Sequence, residues 1–469
     1  MKVKTKNIIL YGMGDIFGGG SFIVIGTLFL LFLTDVVGLK PSYAGLVLVI
    51  GKIWDAISDP LMGYISDNTK SKFGRRRVYF LVGIFPIFLS FFLLWYPFSG
   101  SSQLSLFLYY SFAYILFSTV YTLVMVPYTA LNAEMTEDFK IRTKLTGSRI
   151  MFSQISALIS GVLPKLIIDS AKTKSEGFLK MGITFGILYA IPWIFVFLGT
   201  FEKVKVSSKK ESSGNLFTIF KNKMFRLHML MYIFAYTAMD ILMALFIYYL
   251  TYYLGKENLF SICMGSILIF QIISLPLYVK ISNKFGKARA YQIGLSIWVL
   301  GMTLLFLLPK STSNVVLIIN SAIVGMGLSA GVMIPWAMIP TIVDIDELIT
   351  TKKRAGLYSG MMTLIRKIVQ AVTLFLLGVF LDLIGYVPNT TQSETTLLWL
   401  RLSFFLFPVI LLILGIIVSL KYKITPEIHK LLMNKLNDFR NGKTEVDENT
   451  KEIIEKVTGY KYESLYKAD

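Results

Sequence analysis

Apolar stretches recur along the chain from Ile8 to Leu420, each closed by a short polar and often basic segment. Their length, about 20 residues, is what an α-helix needs to cross the hydrocarbon core of a bilayer. The pattern predicts spans at roughly 8–34, 42–66, 77–98, 104–133, 145–168, 178–200, 226–254, 260–281, 290–309, 314–342, 356–384 and 395–420. The expected fold class is therefore an all-α membrane protein with twelve transmembrane helices. A soluble chain of 469 residues would show amphipathic helices in about two or three domains instead. The first span has no small-residue cleavage site and further spans follow it, so it reads as a membrane helix, not a removed signal peptide.

Composition agrees: 55% of residues are hydrophobic and 16% charged, with mean hydropathy +0.64. Cys263 is the single cysteine, which excludes an intramolecular disulfide. The net charge of +19 invites a nucleic-acid partner, but its distribution argues for topology. Bases gather after even-numbered spans, at Lys70, Lys72, Arg75, Arg76 and Arg77, at Lys140, Arg142 and Lys144, at Lys203, Lys205, Lys209 and Lys210, and further on at Lys284, Lys287, Arg289, Lys352, Lys353 and Arg354. The other side carries few, among them Lys40, Lys172, Lys174 and Arg401. This asymmetry predicts a cell-membrane protein with both termini in the cytoplasm.

The longest internal loop, basic and containing Ser207, Ser208, Ser212, Ser213 and Gly214, divides six spans from six. It suggests an N-terminal half (1–200), a central loop (201–225), a C-terminal half (226–421) and a cytoplasmic tail (422–469). The halves share a weak repeat: Ser71-Lys-Phe-Gly-Arg-Arg-Arg77 after span 2 and Asn283-Lys-Phe-Gly-Lys-Ala-Arg289 after span 8. Such repeats suggest two parallel six-helix halves with a substrate path between them. In the tail, Thr425-Pro426 reads as an N-cap with proline at N1. Ile428, Leu431, Leu432, Leu436 and Phe439 share one face, Asn441-Gly442 ends that helix, and a second helix is expected near Asp447 to Thr458.

The stretch Gly51-Lys-Ile-Trp-Asp-Ala-Ile-Ser-Asp-Pro-Leu-Met-Gly63 lies inside the second span. Asp55 and Asp59 share a helix face, with Lys52 one turn below. Each intramembrane carboxylate costs about 2.5–3.5 kcal/mol on insertion scales, so something must neutralise it: a cation, a proton or Lys52. A coupling-cation site and a structural ion-pair network are both consistent with this.

Five separated stretches carry a resemblance. They are Tyr11-Gly-Met-Gly-Asp15 with Leu33-Thr-Asp-Val-Val-Gly-Leu39; Trp54 to Gly63 followed by Asp67-x-Thr-x-Ser-Lys-x-Gly-Arg75; Tyr121-Thr122 with Val126-Pro-Tyr128; Asp344-Ile-Asp-Glu347 through Arg366-Lys367; and Ile384-Gly-Tyr-Val-Pro-Asn389. The chain resembles the glycoside-pentoside-hexuronide:cation symporters, the melibiose-permease-like branch of the major facilitator superfamily. The resemblance implies the twelve-helix major facilitator fold, with Asp55 and Asp59 as cation-binding carboxylates and Thr122 as a hydroxyl ligand. Ser58 stands where sodium-coupled members often carry asparagine, which leaves sodium or proton open. It implies Arg149 near the substrate and Lys367 near the cation cluster, although Lys367 is equally readable as a snorkelling lysine. Gly19 and Met125 replace two aspartates of melibiose-type members, and Thr129 replaces their tryptophan. Asp15 offers a substitute acceptor or a structural residue. The absent aspartates leave Arg149, with Lys367, as the nearer fixed charges, which would favour an acidic sugar unless Asp15 or Asp240 restores the negative charge.

Asp240 reads as isolated among apolar and aromatic neighbours in span 7, a substrate contact or proton carrier. Trp336 reads as a packed tryptophan or a sugar-stacking platform. Asp67, Arg75, Arg142, Asp344, Asp346 and Arg354, with Glu134 and Glu347, suggest a cytoplasmic gate of cross-half pairs. His228 and His429 form no metal-binding set. No phosphate-binding glycine loop is present, so ATP hydrolysis is not expected. The expected function is non-enzymatic: import of a glycoside, pentoside or hexuronide coupled to sodium or a proton, with no resident cofactor. A lysolipid or amphiphile transporter and a proton-coupled drug exporter are the alternatives on the same fold.

Overall fold

The computed structural model describes residues 3–136, 138–202, 216–352, 354–442 and 445–466. Lys203, Lys205, Lys209, Lys210, Ser207, Ser208, Ser212, Ser213, Gly214 and Lys353 lie outside these residues. The helices are α1 (Thr5–Gly12), α2 (Asp15–Val24), α3 (Pro41–Asn68), α4 (Arg77–Trp95), α5 (Gln103–Met135), α6 (Phe139–Asp169), α7 (Lys174–Gly199), α8 (Lys223–Tyr248), α9 (Phe260–Phe285), α10 (Lys287–Leu307), α11 (Asn314–Thr350), α12 (Ala355–Leu383), α13 (Glu394–Ser419), α14 (Pro426–Arg440) and α15 (Glu448–Thr458). Two wide π-type turns, Ile25–Phe29 and Phe32–Val36, extend α2.

Among the described residues, 11 helical segments are long and apolar enough to cross a membrane. The further long helix is α3, which carries Lys52, Asp55 and Asp59 inside the predicted span and Asp67 just beyond it. Helix starts follow local capping chemistry: Ser102 accepts from the Ser105 amide, Thr173 from Glu176 and Ser313 from Val316. Pro60, Pro86, Pro127, Pro192 and Pro335 sit inside long helices, which membrane bundles tolerate when neighbours satisfy the freed backbone groups.

The packing separates two compact units, and four helices contribute residues to both. One unit comprises Met1–Lys209, Met243–Leu268 and Gln370–Arg401. In it α3 packs on α5, α4 on α7, and α1 and α2 on α6. The last of these contacts is a seam of small residues. A Cβ on Gly12 would lie 2.1 Å from the Ser148 hydroxyl, and one on Gly19 would lie 2.8 Å from the Ser153 backbone. Backbones approach here as they do in small-residue membrane crossings. Gly19→Ala should therefore cost about 1–3 kcal/mol, the usual range for overpacking, and lower the thermal unfolding midpoint of the purified protein. An unchanged midpoint would show that the seam relaxes freely.

The other unit comprises Lys210–Leu242, Ile269–Val369 and Leu402–Asp469, with α10 packed on α11. The tail helices form as the residue pattern predicts. Thr425 caps α14, Gly442 follows it at φ +74°, and Asp447 caps α15. Buried Leu432, Leu436 and Phe439 face inward, and Arg440 pairs with Glu347 of α11 at 2.5 Å. The Tyr466 amide donates to the Leu348 carbonyl at 2.8 Å.

Candidate cation and substrate sites

On α3, Asp55 and Asp59 lie one turn apart, facing α5. Close approach of the two helices comes from Gly51, whose Cβ would lie 1.7 Å from the Tyr114 ring. Thr122 of α5 donates from its hydroxyl to Asp59 Oδ1 at 2.7 Å, and Ser58 Oγ reaches Thr122 Oγ1 at 3.3 Å. Asp55 is fully buried, Ser58 and Thr122 are buried, and Asp59 is half-buried. Lys52, 5% exposed, places its ammonium 3.5 Å from Asp55 Oδ2 and 3.9 Å from the Phe22 ring centre. Thr122 thus joins Asp59 and Ser58, and Asp55, paired with Lys52, lies one turn away on the same helix. Such oxygen donors suit a hard monovalent cation, and the carboxylates alone suit a proton. No group of three or more His, Cys, Asp or Glu fit for a metal ion occurs among the described residues, so a bound cation would depend on hydroxyl or backbone oxygens as well.

The substrate-side residues of the first unit look different from the sequence expectation. Arg149 is not a lone fixed charge: its Nε lies 2.6 Å from Asp15 Oδ2, and its guanidinium sits 4.7 Å from the Tyr128 ring centre. The premise that Arg149 attracts an acidic substrate is corrected by this pairing, because Asp15 balances the charge locally. Gly19 faces the Ser153 backbone, so its missing side chain serves helix packing. Met125 instead reaches Gly18, where a Cβ would meet both Met125 Cε and Asp15 Oδ1 at 2.6 Å. Met125 and Asp15 therefore border the same spot. Thr129 spends its hydroxyl on the Val126 carbonyl at 3.0 Å.

The second unit corrects the reading of Asp240 as isolated. Both of its carboxylate oxygens accept from Arg366 of α12 at 2.6 Å. The Arg366 guanidinium lies 5.0 Å from the Tyr236 ring centre. Tyr236 in turn accepts from the Trp336 indole N–H at 2.9 Å, and Trp336 is 42% exposed. Lys367 follows Arg366 on α12 and is half-buried. The sequence reading quoted Arg366 only within a motif and gave it no role. One signal could have found it: the first and fifth predicted spans carry Asp15 and Arg149, and the seventh and eleventh carry Asp240 and Arg366. Equivalent helices of two repeats thus each supply one member of a buried bidentate pair laid over a tyrosine. His228 is buried and bonded to the Pro335 carbonyl at 2.8 Å, a packing role.

The gate residues pair locally. Asp67 binds Arg76 at 2.5 Å, and buried Glu134 binds both Arg76 and Arg75, the latter at 2.8 Å. Glu134 holds the Arg75 guanidinium above its ordinary pKa. Arg142 donates to the Thr136 carbonyl at 2.8 Å. Asp346 binds Arg354 at 2.5 Å and accepts from Tyr358 at 2.8 Å, and this pairing raises Arg354 in the same way. Asp344 faces His429 at 3.3 Å. These described pairs join residues within one half or, for Asp344 and His429, the second half and the tail. Arg–carboxylate forks form between neighbours already held close, which costs less side-chain entropy than reaching further.

The sequence profile of the MFS/sugar transport protein family matches residues 10–426. The chain belongs to this family. It is a membrane-spanning transporter of the major facilitator superfamily, not an enzyme. It is 29% identical over 477 residues to the candidate sulfoquinovose importer of Salmonella typhimurium, covering 97% of this chain and 98% of that protein. It is 24% identical over 470 residues to the sodium-dependent lysophosphatidylcholine symporter 1-B of Danio rerio, covering 92% and 89%. The fold matches the crystal structure of a D-xylose-proton symporter with TM-score 0.65 at 14% identity, over 91% of this chain and 99% of that one.

Two motifs of this transporter that stand 350 residues apart in sequence meet in one knot. The Asp35 carboxylate accepts from Tyr386 at 2.7 Å, from Thr34 at 2.6 Å and from Tyr252. The Asn389 side-chain amide donates to the Asp35 backbone carbonyl, at 2.5 Å, and Tyr248 lies 3.0 Å from the Thr34 hydroxyl. Neither motif alone reveals the partnership, because nothing in local spacing couples a helix end to a distant loop.

Proposed function

We propose that the chain is a cation-coupled symporter importing a polyhydroxylated solute of the sugar class by alternating access between two six-helix halves, with both termini in the cytoplasm. The observation that carries the coupling is Thr122 joining Asp59 and Ser58, with Asp55 one turn away. A sodium ion or a proton there neutralises carboxylates that are costly in a membrane, and the neutralised form then favours substrate. By linkage, substrate tightens cation binding by the same factor. The substrate contacts are assigned to the Asp15–Arg149 pair with Met125, and to the Asp240–Arg366 pair with Trp336. A paired carboxylate and guanidinium offer acceptors and donors together with little net charge, which suits hydroxyl groups. Trp336 supplies a flat apolar face for a sugar ring.

The test is uptake into vesicles with and without a sodium gradient, and separately with a proton gradient. Competitors are neutral glycosides, their uronic acids, a sulfonated sugar and lysophosphatidylcholine. Gradient-dependent uptake competed by neutral glycosides is the expected result. Competition by lysophosphatidylcholine alone would replace the sugar reading with an amphiphile one, and export would reverse the direction.

A further inference from the structure

The chain contains the same loop twice, and the two copies differ in what covers the following helix. In the first copy, Gly74 at φ +102° turns the chain into α4. The freed amides of Arg75, Arg76 and Arg77 all donate to the Glu202 carboxylate, at 2.9, 2.8 and 3.1 Å. Glu202 comes from the segment just after α7, and a Cβ on Gly74 would fall 2.5 Å from its oxygen. An anion on a helix N-terminus is stabilised by the unsatisfied amides and the helix dipole. In the second copy, Gly286 at φ +89° leads into α10, and the segment after α13 passes in the same way, with the Ile424 carbonyl 3.4 Å from a Gly286 Cβ. That segment, Leu420 to Thr425, contains no carboxylate, and the N-cap of α10, Gly286, has no side chain to cap with.

A cavity of about 150 Å³ lies there. It has room for several water volumes of about 30 Å³ each, enough for a tetrahedral oxyanion. Lys287, Thr425, Thr341, His429 and Tyr422 line it. Lys287 Nζ donates to Thr341 at 2.7 Å, His429 faces Asp344 at 3.3 Å, and the Glu427 carboxylate accepts from the Thr425 hydroxyl at the rim. Tyr422 is 3% exposed, and its hydroxyl has no hydrogen-bond partner among the described residues. A buried hydroxyl in that state is costly unless a ligand or water completes it.

We infer that this cavity is a binding site for a phosphate group, held by the first amides of α10, the Lys287 ammonium and the Tyr422 hydroxyl. The ligand does in the second half what Glu202 does in the first. The phosphate is either free or the headgroup of an anionic lipid, and the two sources share this chemistry.

The full-length protein in detergent should show a saturable rise in unfolding temperature with inorganic phosphate, against chloride at equal ionic strength, if free phosphate is the ligand. If a lipid is the ligand, phosphatidylglycerol should co-purify and be retained in native mass spectra in preference to phosphatidylcholine, without a phosphate response. Tyr422→Phe, which removes one oxygen, and Lys287→Met should each weaken the responding ligand about tenfold or more, the scale of one hydrogen bond to a charged group. Ile424→Glu, which supplies an internal carboxylate, should abolish the response. The inference is overturned if neither ligand binds, or if binding is unchanged in both Tyr422→Phe and Lys287→Met. None of these readouts depends on transport.

Discussion

Asp55→Asn and Asp59→Asn are each expected to abolish uphill uptake while leaving substrate exchange measurable. Asp59 accepts from Thr122, to which Ser58 donates, and Asp55 lies one turn away on the same helix, whereas Asp15 is paired with Arg149 and Asp240 with Arg366. An asparagine keeps the size and removes the charge that a cation would balance. Coupled sites typically change one another's affinity by roughly 5–150-fold, and that cation-dependent gain in substrate affinity should disappear. The accumulation ratio under a gradient should fall to about one, since linkage without differential affinity shifts nothing. Concentrative uptake by the double variant would remove Asp55 and Asp59 from the coupling mechanism.

The second large effect concerns Arg366. Its side chain is 15% exposed and that of Asp240 is 5% exposed. Removing one member of a buried, bidentate pair typically costs about 3–5 kcal/mol, because the remaining charge keeps its desolvation penalty. Arg366→Ala should therefore lower stability by an amount of that order. Asp240→Asn combined with Arg366→Gln should lose much less than the two single changes added together. Substrate affinity separates the functional reading from a purely structural one. In the double variant, where stability is largely restored, half-saturation by the sugar should still rise at least about tenfold, the loss of hydrogen bonds to charged groups. Restored stability with unchanged half-saturation would make the pair a helix tie. Arg149→Ala offers the matched measurement in the first half, with substrate affinity falling more than cation affinity.

Much of this molecule was legible from residue order because lipid imposes a single strong constraint. Backbone groups in hydrocarbon must be satisfied within the helix, so span length and apolarity report the fold almost directly. Capping did the same for the tail: Thr425-Pro426 and Asn441-Gly442 bracket α14 as their chemistry requires. The Asp55, Asp59 and Thr122 cluster was readable because two of its members share a helix face and the third came through family resemblance. Ion pairing was not readable. Asp240 looked solitary because its partner lies 126 residues away on another helix. The partners of the charges on the cytoplasmic side were unreadable for a related reason: a list of opposite charges does not say which are neighbours, and Asp67, Glu134 and Asp346 each bind an arginine nearby in the fold. At Gly19 the sequence shows an aspartate replaced but not what fills the gap, which is the Ser153 backbone.

The knot around Asp35 has a kinetic meaning. Its contacts are hydrogen bonds to one carboxylate and one carbonyl, and each is exchanged for a hydrogen bond to water when it parts. The net free energy of such an exchange is about 1.5–3 kcal/mol per bond to the carboxylate, although the intact bond is stronger before water arrives. Several such bonds must fail together before the segments they join can part, so parting by chance is slow even though each bond is exchanged for one to water. Tyr386 and Tyr252 are therefore positions where the rate of that parting is set, separately from any contact with a solute.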